Sequence, residues 1–395
     1  MSRTVFLFYC LLLVVFVIEG FGLPFGRLLA PYILFFGACV LLLLDVVTKK
    51  TILLPGIAMT LFGGFILLSL ASALSSIDVT AALQGVLLYS AYMLLFLFAY
   101  NHHEHIAKYM FRWLVVCGLL LVLYSIAGRN YVFDQWPLLW PNSGYQLVTA
   151  YFGLHNNMGD FLVPVLVAAV FYIAIWNKMR YFFIFICLFP FFLFSYSRSA
   201  YNAFLLTTLV LGVWGLYTKK IVLNTRWLLP IGLLLFGVIL FFLATVDESR
   251  SLLPFIDKQS VIASKPIADG RDIYMMQAWK IIRQRPWVGV GPYNFGLASQ
   301  QYMSAPSYRW SESSLNIFLD VFAEEGIFAC VCFVALMATL LYKSQKNVYF
   351  FMFLALLIDF QTHYAYRIYI MQALLFIFAG LCYREKNEYK LGLQS

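Results

Sequence analysis

Long runs of apolar residues alternate with short polar connections along almost the whole chain. A helix needs ~20 predominantly apolar residues to cross the hydrocarbon core of a bilayer. The pattern therefore predicts an all-α integral membrane protein of about twelve transmembrane helices. They are expected near residues 4–20, 28–47, 52–74, 79–100, 106–127, 159–176, 180–196, 199–217, 227–246, 313–342, 347–362 and 368–384.

The composition excludes a water-soluble fold. Of the 395 residues, 63% are hydrophobic and only 11% are charged, whereas soluble domains carry ~25% charged residues. We therefore expect a single polytopic membrane domain over residues 1–395. The first apolar run, Val5 to Val17, has no small-residue cleavage site before Glu19, which favours a retained helix over a removed signal peptide.

Cysteines and net charge narrow the class of function further. The seven cysteines all lie in apolar runs and form no C-x-x-C pair, which argues against disulfides and a zinc site. No metal or other cofactor is expected. The formal net charge of +9 could indicate a protein that binds nucleic acid, but the basic residues stand in short clusters between apolar runs. Such clusters mark membrane topology, so we expect membrane lipids and no nucleic acid as partners.

Lysine-rich clusters occur at every second connection, as the positive-inside rule requires. They predict a bacterial inner-membrane protein whose N-terminus and C-terminus are both cytoplasmic. Two connections on the opposite side are long, residues 128–158 and 247–312, and both are predicted to be periplasmic. The clusters are Lys49-Lys50, Lys108 with Arg112, Lys178 with Arg180, Lys219-Lys220 with Arg226, Lys343 with Lys346, and Arg384, Lys386 and Lys390 in the tail.

The predicted outer side is rich in arginine. It carries nine arginines and three lysines, whereas the predicted cytoplasmic side carries ten lysines and five arginines. Arginine presents a planar fork of donors that fits phosphate oxygens in pairs. The outer face is therefore suited to bind an anion, although ordinary surface ion pairs would produce a similar bias.

The second long loop combines a helical stretch with a glycine turn. Arg271 stands at the start of an amphipathic stretch, Ile273 to Arg285, which fits the membrane surface or the helix bundle. Pro286 ends this stretch, and the two glycines of Trp287-Val-Gly-Val-Gly-Pro allow a tight backbone turn. The large periplasmic loop is thus expected to contain short amphipathic helices.

These motifs, in this order, resemble the O-antigen ligase and polymerase superfamily, the Wzy and WaaL type of membrane glycosyltransferase. The resemblance covers about residues 150–342. It rests on His155 to Gly159, on Ser195 to Ala200, and on the elements that run from Arg271 to Gly326. It implies that a glycan carried on undecaprenyl pyrophosphate is moved to a hydroxyl of a lipid-linked acceptor, without a metal and with inversion.

The resemblance also implies roles for individual residues. Arg198 and Arg271 would bind the pyrophosphate leaving group and stabilise the charge that grows on it, with Arg309 and Arg367 next. Glu312 is the candidate base for the acceptor hydroxyl, and it shares a helix face with Asn316 if that helix begins early enough. The other candidates for substrate binding are Asn316, His363, Tyr293 and Asn156.

One position separates the two branches of the family. The ligase pattern has a histidine immediately before the asparagine, whereas Leu315 precedes Asn316 here. We therefore favour a polymerase of lipid-linked repeat units, with a chain-length regulator protein as a candidate partner. A ligase that transfers the glycan to lipid A core and a flippase for lipid-linked oligosaccharides remain alternatives.

The candidate residues also have structural interpretations. Arg198 could be a helix-end residue that reaches for the membrane surface. Acids inside an apolar helix are usually functional or paired, and this applies to Asp320, Glu324 and Glu325. The sequence Glu324-Glu325-Gly326 could instead mark a break in that helix.

Overall fold

The computed structural model describes residues 3–20, 26–49, 51–131, 155–195, 197–220, 271–302, 312–383 and 389–392. Helices dominate these ranges. In chain order they are α1 (Arg3–Gly20), α2 (Gly26–Lys49), α3 (Gly56–Leu74), α4 (Val79–Asn101), α5 (His103–Tyr131), α6 (His155–Ala174), α7 (Arg180–Phe194), α8 (Arg198–Tyr217), α9 (Arg271–Gln284), α10 (Phe295–Gln300), α11 (Ile317–Lys343), α12 (Val348–Asp359) and α13 (Tyr369–Cys382). Two short strands are β1 (Thr51–Leu54) and β2 (Tyr389–Gly392), and a 3₁₀ helix spans Tyr364–Arg367.

The prediction of an all-α membrane protein is confirmed. Eleven of the twelve predicted helical windows contain a helix, and the window at 227–246 lies outside the described residues. Within the described ranges, seven helices are long and apolar enough to cross a membrane. They are Leu28–Thr48, Gly56–Leu74, Val79–Asn101, His103–Tyr124, Asn157–Ala174, Arg198–Tyr217 and Ile317–Lys343.

The two long connections differ from their predicted limits in detail. Helix α5 continues to Tyr131 and α6 begins at His155, so the first connection is shorter than 128–158 at both ends. Within 247–312, the predicted short helices are present as α9 and α10. Helix α9 is amphipathic, because Ala278 and Ile281 are buried while Trp279 is 51% exposed. That both connections are periplasmic stays a prediction.

The chain divides into two compact units, residues 1–114 with 269–395, and residues 115–268. In the first unit α11 packs along α3, and α4 packs between α2 and α13. In the second unit α6 packs against both α7 and α8. The expectation of one polytopic domain over 1–395 stays a prediction.

One end of the first unit is closed by a two-stranded antiparallel ladder. Strand β2 pairs with β1, with Thr51 opposite Gly392 and Leu54 opposite Tyr389. The side chain of Asn101, at the end of α4, joins this ladder: its Oδ1 accepts from Leu53 N at 2.8 Å and its Nδ2 donates to Leu53 O at 3.0 Å. The C-terminal strand and the connection after α2 therefore lie at the same end.

The opposite end of this unit holds the connections that the sequence assigns to the other side of the membrane. The carboxylate of Glu19, near the end of α1, accepts from the backbone N–H groups of Tyr369 and Ile370, each at 2.7 Å. It thus caps the N-terminus of α13, where an anion is favoured. Helices α1 and α3 therefore run away from the ladder and α4 runs back toward it, as the lysine clusters predict.

Candidate functional site

Helix α11 is broken one third of the way along its length. Gly326 has φ +83° and ψ 179°, a backbone conformation open essentially to glycine alone. The break that the sequence Glu324-Glu325-Gly326 suggested is thus confirmed. A break frees the backbone groups on both sides from their usual intrahelical bonds, so other partners must satisfy them.

The glycine turn of the second loop supplies those partners. Gly291 N donates to Glu324 O at 2.8 Å, Val290 N donates to Ala323 O at 3.2 Å, and Ile327 N donates to Pro286 O at 2.9 Å. Three backbone hydrogen bonds therefore dock residues 286–291, which we call the glycine loop, into the break of α11. Ser72 of α3 adds a fourth bond, from its Oγ to Glu324 O at 2.8 Å.

Asn294 and the helix α4 hold the end of this loop. The Asn294 amide forms two bonds with the backbone of Asp78: Asp78 N donates to Oδ1 at 3.0 Å and Nδ2 donates to Asp78 O at 3.1 Å. Gly85 makes room for the loop, since a Cβ at that position would lie 2.7 Å from Pro292 and from the ring of Tyr293. Tyr293 is therefore packed against α4, and its hydroxyl donates to Gln372 Oε1 at 3.3 Å.

A buried charged cluster lies beside the docked loop. Arg367 Nη2 is 2.8 Å from Asp320 Oδ2 and 2.8 Å from Glu324 Oε1. The side chain of Arg367 is 9% exposed, and those of Asp320 and Glu324 are 2% and 1% exposed. We call these three residues the Arg367 cluster. Its two acids are one helical turn apart on α11, so they present their carboxylates on one face.

Further hydrogen bonds fix each acid. Asp320 Oδ1 accepts from Ser314 N at 2.7 Å, and its Oδ2 accepts from the hydroxyl of Tyr366. Glu324 Oε1 also accepts from Phe295 N at 2.9 Å, at the start of α10. A buried ion pair is stable only when such additional bonds satisfy its oxygens. Glu324 thereby connects α11, α10 and the 3₁₀ helix.

Arg367 lies above an aromatic ring and keeps part of its donor set open. Its Cζ is 4.7 Å from the centre of the Tyr293 ring, a cation–π distance. Both carboxylates contact Nη2, and Nε has no hydrogen-bond partner among the described residues. Burial opposes the charge of Arg367, but Glu324 and Asp320 outweigh that effect and raise its pKa above the ordinary value.

Two predicted site residues belong to or pack against this cluster, and two more lie within four positions of it along the chain. Arg367 belongs to it and Tyr293 packs against it. Asn316 caps α11, because its Oδ1 accepts from Leu319 N at 3.0 Å, and its Nδ2 donates to Gln361 O at 3.1 Å. His363 is 3% exposed and precedes the 3₁₀ helix. All four positions lie in the first unit.

The predicted base, Glu312, would share a helix face with Asn316 only if α11 began early enough, and it does not. Helix α11 begins at Ile317, with Asn316 as its N-cap. Glu312 is exposed and lies ahead of the cap, so the shared helix face with Asn316 does not form. Arg271 is the first residue of α9, as predicted, whereas Arg309 lies outside the described residues. The catalytic roles of these residues stay predictions.

The remaining candidates belong to the second unit. Arg198 is the exposed first residue of α8, and Asn156 lies in the first turn of α6. In the residue before Arg198, Ser197 Oγ donates to the buried Asp160 Oδ1 at 2.9 Å and contacts Ser199 Oγ at 3.0 Å. Ser197 thus caps α8 and joins it to α6. That Arg198 and Arg271 serve one site stays a prediction.

The acids that meet Arg367 were only partly identified from sequence. Their placement in an apolar helix indicated that Asp320 and Glu324 need a partner, but nothing in the sequence indicated which arginine it is. Within the described ranges no group of three His, Cys, Asp or Glu side chains could hold a metal ion. The Arg367 cluster combines two carboxylates with one guanidinium group.

Part of the chain matches a known protein family. Residues 182–334 match a family described as O-Antigen ligase. This range includes α8, α9, the glycine loop, Glu312 and the break in α11. The match confirms the resemblance to the O-antigen ligase and polymerase superfamily, whose activity is of the glycosyltransferase type, and it does not separate polymerase from ligase. A comparison with curated proteins finds no match.

Proposed function

We propose that this chain polymerises lipid-linked oligosaccharide repeat units on the periplasmic face of the bacterial inner membrane. The growing glycan leaves its undecaprenyl pyrophosphate and is joined to a hydroxyl of the next lipid-linked unit. One observation supports polymerase over ligase. Leu315, at the position of the ligase histidine, is 8% exposed with φ +67°, so a buried apolar side chain occupies the place of that base.

The leaving group requires cations on the outer side. Arg198 and Arg271 each stand at the first residue of a helix, where the helix dipole adds to the attraction for an anion. Their forked guanidinium groups would hold the pyrophosphate and stabilise the negative charge that develops as the C1–O bond breaks. Arg309, in the same predicted loop as Arg271, is a further candidate.

The acceptor requires a base. Glu312 is exposed in front of α11, so its carboxylate can approach a bound hydroxyl and accept its proton as the new glycosidic bond forms. A single base and a departing pyrophosphate suit an inverting displacement without a metal. A chain-length regulator protein is a candidate partner that would limit how many units are joined.

Reconstitution of the full chain separates the proposed function from its alternatives. The purified protein in liposomes is supplied with the lipid-linked repeat unit isolated from cells that lack this chain. A ladder of longer glycans on the lipid carrier supports the polymerase. Lipid A core is added in a second set of vesicles, and glycan transfer to it without a ladder would identify a ligase. Movement of the lipid across the bilayer with no new glycosidic bond would identify a flippase and overturn the proposal.

A further inference from the structure

We infer that the Arg367 cluster binds a sugar hydroxyl of the lipid-linked glycan, and not its pyrophosphate. The inference rests on the proposed function for the identity of the ligand, but its evidence is the local geometry. It changes the predicted role of Arg367 and adds Glu324 as a residue that contacts substrate.

The charge balance of the cluster disfavours a phosphate ligand. Arg367 contributes one positive charge, and Asp320 and Glu324, both at 2.8 Å, contribute two negative charges. Glu325 lies next in sequence and is 2% exposed, with its Oε1 bound by the hydroxyl of Tyr89 at 2.8 Å. A pyrophosphate brought to this arginine would meet carboxylates already in place, and juxtaposed like charges are strongly unfavourable at a desolvated site. A neutral polyol meets no such repulsion.

The open atoms of the cluster match a hydroxyl group. Both acids use Nη2 of Arg367. Nε is buried without a hydrogen-bond partner, and Nη1 forms no hydrogen bond within the described part of the chain. Glu324 is bound only through Oε1, so its Oε2 likewise accepts no bond from a described residue. A hydroxyl group is at once a donor and an acceptor. Guanidinium donors beside a carboxylate acceptor satisfy both functions.

The surrounding structure holds these atoms in place. Glu324 Oε1 is anchored by Phe295 N and by Arg367, and Glu324 O is anchored by Gly291 N and Ser72 Oγ. The guanidinium plane is supported by the Tyr293 ring, which is partly exposed beside it. Preorganised polar groups of this kind discriminate strongly against a ligand that lacks the matching hydroxyl, because they are then left unpaired.

A charge-balanced double variant tests this inference. Arg367→Met combined with Glu324→Gln removes one charge of each sign, and Asp320 keeps its bonds from Ser314 N and Tyr366. The matched control is Arg180→Met, an exposed arginine on Tyr181 at the predicted cytoplasmic side. Monodispersity and melting temperature of each purified protein establish that the variant is folded. If the double variant is not folded, Arg367→Lys replaces it, since lysine keeps the charge but lacks the forked donors.

Binding is measured with two probes, the isolated lipid-linked repeat unit and undecaprenyl pyrophosphate without sugar. We expect the variant to bind the lipid-linked repeat unit at least tenfold more weakly and undecaprenyl pyrophosphate within twofold of wild type. Equal loss for both probes would make Arg367 a pyrophosphate ligand and overturn the inference, and so would unchanged binding of both. Failure of wild type to bind the lipid-linked unit at all would instead count against the proposed function.

Discussion

Gly289 packs against the backbone next to Gly326, and Gly326 packs against the backbone next to Gly289. Both contacts are so close that neither position can accept a side chain. A Cβ on Gly289 would lie 2.2 Å from Glu324 O, and a Cβ on Gly326 would lie 2.2 Å from Trp287 O. Both residues also have positive φ, +67° and +83°. The glycine loop and the broken helix thus form one backbone unit, which sets the position of Glu324 and, through it, of Arg367.

Replacement of Gly326 by alanine should therefore destabilise the protein strongly. The positive φ and the overpacking against Trp287 together should cost about 2–5 kcal/mol. Gly63→Ala in α3 is the matched control, because a Cβ there meets nothing within 4 Å. The control should be neutral or stabilising by ~0.5–1 kcal/mol. Melting temperatures in detergent measure both effects, and equal melting temperatures for the two variants would contradict the docking of the loop.

Loss of Arg367 alone should unfold or severely destabilise the protein. Arg367→Met leaves Asp320 and Glu324 as buried carboxylates without a cation, and breaking a buried pair in this way typically costs ~3–5 kcal/mol. Adding Glu324→Gln should restore a large part of the loss, because it removes one of the uncompensated charges. A melting temperature for the double variant no higher than that of Arg367→Met would show that the two side chains are not energetically coupled.

The sequence was informative about helices because each spanning helix must satisfy its backbone within itself and expose apolar side chains to lipid. Both requirements appear as local patterns. The glycine loop was also visible, as Pro286 followed by two glycines. The segment of α11 to which the glycine loop binds could not be predicted. The bonds from Gly291 and Val290 to Glu324 and Ala323 join residues more than thirty positions apart. No local pattern fixes such a pairing.

The Arg367 cluster likewise depends on a pairing between distant residues that the sequence does not reveal. The intramembrane position of Asp320 predicted that it would be paired or functional, and it is paired. Its partner Arg367 follows only from the packing of α11 beside the 3₁₀ helix. Glu312 does not share a helix face with Asn316 for a local reason, because Asn316 caps α11 and the helix begins only at Ile317.

The topology can be checked with reporter fusions. The lysine clusters predict cytoplasmic termini and outer long loops, so fusions after Arg129 and after Lys258 should both report a periplasmic location. A third fusion, after Lys346, should report the cytoplasm and serves as the control. A cytoplasmic signal from either of the first two positions would reject the predicted orientation.

Replacement of Arg198 or Arg271 by lysine should reduce polymer formation strongly, although both changes keep the charge. A lysine ammonium is a point charge and cannot supply the paired donors that a pyrophosphate accepts. Arg283→Lys, in the last turn of α9, is the control and should retain activity. The assay is polymer yield at matched protein level. Near-wild-type yield from both variants would remove the two arginines from the site.

The Glu312→Gln variant is the most demanding test of the proposed mechanism, because it shows whether an acid ahead of α11 replaces the histidine that is missing at Leu315. Loss of a general base typically lowers the rate ~10²–10⁴-fold. Loss of an acid near a helix N-terminus instead costs only ~0.3–1 kcal/mol of stability and leaves the chemistry unchanged. Turnover of purified protein with the lipid-linked donor distinguishes the two, with Glu104→Gln, an acid at the start of α5 with an 83% exposed side chain, as the control. If Glu312→Gln keeps more than about a tenth of wild-type turnover, a smaller loss than a base requires, the base must be sought at His155 or His363.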